Sequence, residues 1–192
     1  MVGSIDFESA VTRAVATRFC MMINQETGDI LKENYKTNAM RILDRQKIDY
    51  QAHHYSGDDG CIDGLSVARK IGEPIHKVFK TLVTQAPSKQ YYVFVIPVSD
   101  ELDLKAAARA VHEKSVEMIK VADINKVTGY IRGGCSPIGM KKQYITVIDR
   151  SALALDSFFI SAGKIGYQIQ ISADNLKKVL DFQWADLVSH SD

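Results

Sequence analysis

Tyr130-Ile131-Arg132-Gly133-Gly134-Cys135-Ser136-Pro137-Ile138-Gly139-Met140-Lys141-Lys142 packs three glycines, a serine and a proline into ten residues, then adds two lysines. Glycine tolerates positive φ and lets another molecule approach the main chain closely. A loop of this kind can aim successive N–H groups at an oxyanion or a phosphate. A plain turn between strands uses the same residue types, but their density here favours a site. Val121 to Val127 reads as a short helix leading in, and Tyr144 to Ile148 as a strand leading out. The stretch therefore connects a helix to a strand, as in a fold that mixes the two.

Working outward, Val78 to Gln85 and Tyr91 to Val98 are the strongest strands, joined by Ala86-Pro87-Ser88-Lys89-Gln90 as a hairpin. Lys80 sits mid-strand among apolar neighbours, where an ammonium must reach solvent, find a partner or lose hydration at a cost. Lysines that hold phosphates or do chemistry occupy such positions, and so do lysines that snorkel from a strand edge. Both readings of Lys80 stay open on the strand alone. Further out, Thr37-Asn38 opens a helix carrying Met40, Ile42 and Leu43, with Ile48 beyond on the same apolar side. Tyr50 to Tyr55 reads as a strand, with His53 and His54 on opposite faces. Ser56 to Asp63 is a polar loop, and Leu65 to Ile71 a short helix stopped by Gly72. Leu104 to His112 is helical, Phe158 to Ile160 a strand, and Ser161 to Gly166 a second glycine loop. Tyr167 to Ile171 alternates like a half-buried strand. Ser172 caps a closing helix around Leu176, Val179 and Leu180.

The pattern predicts an α+β fold. A single compact domain over residues 36–192 would hold a central mixed, mostly antiparallel sheet surrounded by helices. Residues 1–35 are expected to form an N-terminal helical extension, with Phe7, Val11, Val15, Phe19 and Met22 at near-helical spacing over 6–23.

Of the 192 residues, 46% are hydrophobic and 24% charged, which fits a globular chain rather than a disordered one. The net charge of +1 argues against a strong sequence-independent hold on nucleic acid. An RNA partner would be touched at its end or shared with another protein, and neither DNA nor a membrane is an expected partner. Three scattered cysteines, Cys20, Cys61 and Cys135, give no disulfide or metal pattern, and the expected compartment is cytoplasmic. The five histidines lack ligand spacing, so neither metal nor cofactor is expected. No hydrolytic triad stands out. Ser136 precedes a proline instead of sitting in a Gly-x-Ser-x-Gly elbow, and Cys135 has no sequence-adjacent base.

Thr37-Asn38-Ala39-Met40-Arg41-Ile42-Leu43, Val78-Phe79-Lys80-Thr81-Leu82, Gly129 to Lys142 and Ser161-Ala162-Gly163-Lys164-Ile165-Gly166-Tyr167-Gln168-Ile169 occur in the order seen in one family. Over Thr37 to Asp186 the chain resembles the YbaK/EbsC family, the bacterial Cys-tRNA(Pro) deacylases related to the editing domain of prolyl-tRNA synthetase. The resemblance implies hydrolysis of the ester linking a wrong amino acid, chiefly cysteine, to tRNA(Pro). It makes Lys80 the residue that holds the tRNA 3′ end, with Gly133 and Gly134 in the catalytic loop. Ser136, with Pro137 and Gly139, belongs to the loop that binds the terminal adenosine and ester. Thr81 adjoins Lys80 in the substrate site, Ser161 and Gly163 form a second wall, and Tyr55 lies opposite. The family's chemistry uses the substrate's own thiol, which leaves Cys135 dispensable, and prolyl-tRNA synthetase is the implied protein partner. Two departures stand out. Ala162 replaces a common glycine, and Asp63 stands where an aromatic pocket residue is common. An alternative substrate such as Ala-tRNA(Pro), or a non-catalytic module that binds a synthetase or tRNA, is the competing expectation.

Overall fold

A computed structural model describes residues 35–188. The helix expected over 6–23 lies outside the described residues. Thr37 accepts a bond from the Met40 amide and starts helix α1 (Asn38–Arg45), whose Ala39, Met40 and Leu43 are fully buried. Strand β1 (Gln51–His54) follows, and then Asp63 caps helix α2 (Gly64–Ile71). Gly72 ends that helix at φ 73°, in the left-handed conformation its sequence position predicts.

Strands β2 (Phe79–Gln85) and β3 (Tyr91–Pro97) form the expected antiparallel hairpin, with Lys80 opposite Ile96 and Gln85 opposite Tyr91. Helix α3 (Leu104–Ala110), the two-residue strand β4 (Glu117–Met118) and helix α4 (Val121–Thr128) lead to the glycine loop. After it come β5 (Ile145–Asp149), β6 (Phe158–Ser161), β7 (Tyr167–Ile171), helix α5 (Ala173–Lys177) and β8 (Gln183–Ala185). The closing helix is shorter than expected, because Val179 and Leu180 follow it in a turn.

The strands make two sheets. One runs β4-β2-β3-β5-β8, antiparallel on the β4 side and parallel from β3 to β8. The other is an antiparallel β1-β7-β6 sheet, joined to the first by a bridge between Val78 and Phe159. The single sheet expected from sequence is thus divided, although most ladders are antiparallel as predicted. Strand β3 is central and covered on both faces, so its apolar run is continuous instead of alternating. Tyr92, Phe94 and Ile96 pack with Ala107, Ala108 and Val111 of and beyond α3, whereas Val93 packs with Val83, Val127 and Tyr130. Asp149, buried, accepts from the Ser151 and Leu187 amides and ties the C-terminal segment to β5.

The smaller sheet is also covered twice. Phe158, Ile160, Ile169 and Ile171 meet α1 on one face. Phe159 meets Ala68 and Ile71 of α2 on the other. None of the described helices is long and apolar enough to cross a membrane.

Candidate functional site

Strand β2 is paired with β3 along its length, but its other edge is covered only in part. Strand β4 pairs with it at Thr84 and Gln85, and the bridge to Phe159 sits at Val78. Between these points, Phe79 to Leu82 have no strand partner on that edge, so main-chain groups there are open to a ligand. A cavity of about 440 Å³ occupies the gap. Its walls come from β2 (Phe79 to Val83), from Ile62, Gly64 and Val67 around α2, and from Ser161 and Gln168 of the smaller sheet. Met118, Val121 and Ile124 close the α4 side, with Arg132, Gly133 and Cys135 of the first glycine loop. Met118 and Val121 stay 47% and 56% exposed, forming an apolar rim suited to a nucleobase face.

Two cations border this space. Lys80 is half-buried, with its Nζ 3.5 Å from the Val98 carbonyl and 3.5 Å from Glu101 Oε1. Glu101 is almost fully exposed, so that contact is weak and screened. Arg132 is exposed. Both cations line the cavity and are of the kind that receive phosphate oxygens.

Inside, the chemistry is neutral. The hydroxyl of Thr81 and the side-chain carbonyl oxygen of Gln168 are buried with no hydrogen-bond partner. Burial pushes the Cys135 thiol up to about 11, so the sulfur is protonated near neutral pH and a poor nucleophile. Among the described residues no cluster of histidine, cysteine and carboxylate side chains could hold a metal ion.

Of the residues expected from sequence, Lys80, Thr81, Gly133 and Ser161 come together on the cavity wall. The others stand behind it. Gly134 is buried against the main chain of Lys164 and Ile165, joining the two glycine loops, and its amide donates to the Ile131 carbonyl. Ser136 is fully buried, and its hydroxyl accepts from the Ile138 amide as a turn former; Pro137 is buried beside it. Gly139, at φ 75°, accepts from Asn38 and fixes the loop to α1. Gly163, at φ 92°, lies against the Tyr130 ring, and its amide donates to Ser161 Oγ. Tyr130 thus touches both loops, and its hydroxyl also donates to the Ile138 carbonyl at 2.7 Å. Tyr55 is buried and bonds through its amide to Gly166, without lining the cavity.

Asp63, one of the two departures from the family pattern, caps α2, accepting from the Ser66 amide and hydroxyl. Those two bonds hold its carboxyl below the usual carboxylate range. Its neighbour Ile62 reaches the cavity. The loop before it is clamped by Lys70, whose Nζ donates to Asp59 Oδ1 and to the Ser56 and Cys61 carbonyls within 2.8 Å.

The sequence model of a family described as the aminoacyl-tRNA editing domain matches residues 65–179, which spans β2, both glycine loops and most of the cavity lining. The chain belongs to this family. A protein of Enterococcus faecalis named "Putative Cys-tRNA(Pro)/Cys-tRNA(Cys) deacylase EbsC" is 39% identical over 158 residues, covering 82% of this chain and 96% of that protein. Among solved structures, one described as a putative trans-editing enzyme for prolyl tRNA synthetase superposes with a TM-score of 0.69 at 18% identity. It covers 81% of this chain and 100% of its own. A scaffold protein used for epitope backbone grafting gives 0.71 at 19% identity, covering 82% and 100%. These two likenesses show that the chain shares its fold with both proteins.

Sequence reasoning missed Ile62, Arg132 and Gln168 among the cavity residues. Arg132 lies within the first glycine loop, where its charge is the signal that could have found it. Gln168 is a polar residue of an alternating, half-buried strand, and α2 together with Val78 and Val98 packs on that face.

Proposed function

We propose that this editing domain acts in trans as a hydrolase that removes cysteine from mischarged Cys-tRNA(Pro). The observation that carries the reading is the open edge of β2, where Lys80 and Thr81 share a cavity with Gly133 and Ser161. The cavity is too small for a folded RNA but large enough for a terminal nucleoside and its amino acid. Lys80 and Arg132 would take the phosphates next to the terminal adenosine, and the rim of Met118 and Val121 its base. Amides of the glycine loop and the uncovered β2 edge would face the ester.

The protonated state of Cys135 fits a reaction without a protein nucleophile. The substrate's own thiol attacks its ester carbonyl, forming a C–S bond as the C–O bond to the tRNA breaks. The thiol proton ends on the departing 3′ oxygen, and water then opens the thiolactone to free cysteine. Holding thiol and carbonyl together and stabilising the oxyanion supply the acceleration. The near-neutral charge favours a prolyl-tRNA synthetase partner as the source of tRNA selectivity, in a cytoplasmic setting.

The test is release of labelled cysteine from Cys-tRNA(Pro) by wild-type and Lys80→Ala protein, run beside Ala-tRNA(Pro). Cysteine release that disappears in the variant is expected. Faster release of alanine would move the assignment to Ala-tRNA(Pro), and release of neither amino acid would leave a non-catalytic binding module.

A further inference from the structure

The cavity wall contains a buried polar residue with no role in holding the phosphates, base or ester. Gln168 is only 5% exposed, and its side-chain oxygen has no partner. Buried carboxamides in folded proteins are normally satisfied, so an orphan of this kind calls for an explanation. Gln170, on the same strand and face, provides the contrast. Its amide donates to Ser157 Oγ at 2.9 Å, and its oxygen stands 3.1 Å from His53 Nε2. The same residue type two positions away has its oxygen satisfied within the protein, and the Gln168 oxygen is not.

Its place in the fold explains where a partner would come from. Gln168 lies opposite Ser161 on β6 and opposite His53 on β1, on the face covered by α2. It lines the same cavity as Thr81, whose hydroxyl is also buried and unpartnered. Two uncharged oxygens with free lone pairs thus border one pocket from two different sheets. Around them the wall is apolar, with Ile62, Val67 and Val78, and the cations stand at Lys80 and Arg132. A ligand group that completes this site must donate hydrogen bonds and must fit beside aliphatic surface.

We propose that Gln168, together with Thr81, forms a subsite for the α-amino group of the aminoacyl ester, and so limits hydrolysis to esters whose amine is free. The proposal rests on the deacylase reading and names a specificity element within it. An α-amine offers several N–H donors at one atom, enough for both oxygens. An N-acylated amine offers one and adds bulk against Ile62 and Val67. A site built around hydrogen bonds rejects an analogue that cannot make them, because its own polar groups are then left buried and unpaired. The neutral carboxamide also accepts from the amine in its protonated or free-base form.

The test compares Cys-tRNA(Pro) with N-acetyl-Cys-tRNA(Pro), using wild-type protein and Gln168→Met, a substitution of similar shape that removes the acceptor. Wild-type kcat/KM should favour the free amine by at least about 100-fold. Gln168→Met should lower kcat/KM for the free amine by about tenfold, chiefly through KM, and leave the acetylated ester unchanged. Its thermal midpoint should equal or exceed that of wild type, because an orphaned polar group is gone; this separates lost recognition from lost folding. Equal hydrolysis of both esters by wild type, or an equal loss on both in the variant, would overturn the proposal.

A second arm uses the stable amide analogue 3′-cysteinylamino-3′-deoxyadenosine and its N-acetyl form, with binding followed by calorimetry. If neither ester is cleaved but the free-amine analogue binds preferentially in a Gln168-dependent way, the subsite stands and the deacylase reading fails. If the two analogues bind alike, the subsite fails whatever the hydrolysis result.

Discussion

The glycine loop over residues 130–142 and the strand β2 border the same cavity, yet they use their distinctive residues in opposite ways. In the loop most special residues serve packing. Gly139 accepts from Asn38, Gly134 lies against the second loop, and Ser136 holds a turn. Only Arg132, Gly133 and Cys135 reach the cavity. Strand β2 looks ordinary by comparison, but its edge is uncovered and every residue from Phe79 to Val83 lines the cavity. Unusual composition marks where the backbone is constrained, whereas contact with a ligand depends on which edges and faces the fold leaves open.

The largest effect expected from this contrast is at Lys80. Lys80→Ala should reduce deacylation of Cys-tRNA(Pro) by roughly 100-fold or more, the scale seen when one preorganised electrostatic contact is removed. Circular dichroism and thermal midpoint should be nearly unchanged, since its ion pair with exposed Glu101 contributes little. A variant that keeps near-wild-type turnover would remove β2 from the site.

Two glycines separate the loop's roles. At Gly139 an added Cβ would come within 2.7 Å of both Asn38 Nδ2 and Ile42 Cδ1, and φ is 75°. Gly139→Ala should therefore cost about 1–3 kcal/mol of stability in urea unfolding. At Gly133 the nearest atom is Ile62 Cδ1, the tip of a mobile side chain that can swing into the cavity. The positive φ of 80° still adds strain, but Gly133→Ala should lose more activity per unit of stability than Gly139→Ala. The reverse order, measured by kcat/KM and urea midpoint on the same preparations, would reverse the division of labour drawn between the two positions.

Thr81→Val gives a smaller and more diagnostic change. The Thr81 hydroxyl is buried without a partner, so removing it should leave stability equal or slightly raised. Turnover should fall by about tenfold if that hydroxyl meets the substrate. A parallel loss of both would mean that the hydroxyl has a structural partner after all.

Much of this arrangement was legible before the structure. Thr37-Asn38 as a helix start, Gly72 as a stop, the β2–β3 hairpin and the bounds of β7 follow from local chemistry, and each is found where that chemistry puts it. Strands β4 and β8 were not legible, because two or three residues carry no period and their pairing is decided by neighbours distant in sequence. The division into two sheets was hidden for the same reason. Gln168 is the instructive case. Its alternation with Tyr167 and Ile169 signals a strand with one wet face, and that inference fails because α2 covers the second face. Ile62 was missed beside Asp63 because the cap and the wall residue are adjacent, and sequence register alone does not tell which one turns inward.

Cys135 offers the smallest effect and the clearest sign. Burial raises its thiol from 9.0 to about 11, so the folded protein keeps a proton that the unfolded chain loses between those values. Stability from this group is complete below about pH 9 and declines as pH rises toward 11, because the unfolded state binds fewer protons there. Cys135→Ser should remove that part of the decline, visible as a difference between the two urea-unfolding profiles over this window. Near neutral pH the same variant should keep turnover within about threefold of wild type, since a protonated thiol takes no part in attack. A folded Cys135→Ser protein without activity would instead make the sulfur the nucleophile, and the cavity wall contributed by the glycine loop would then matter as much as β2.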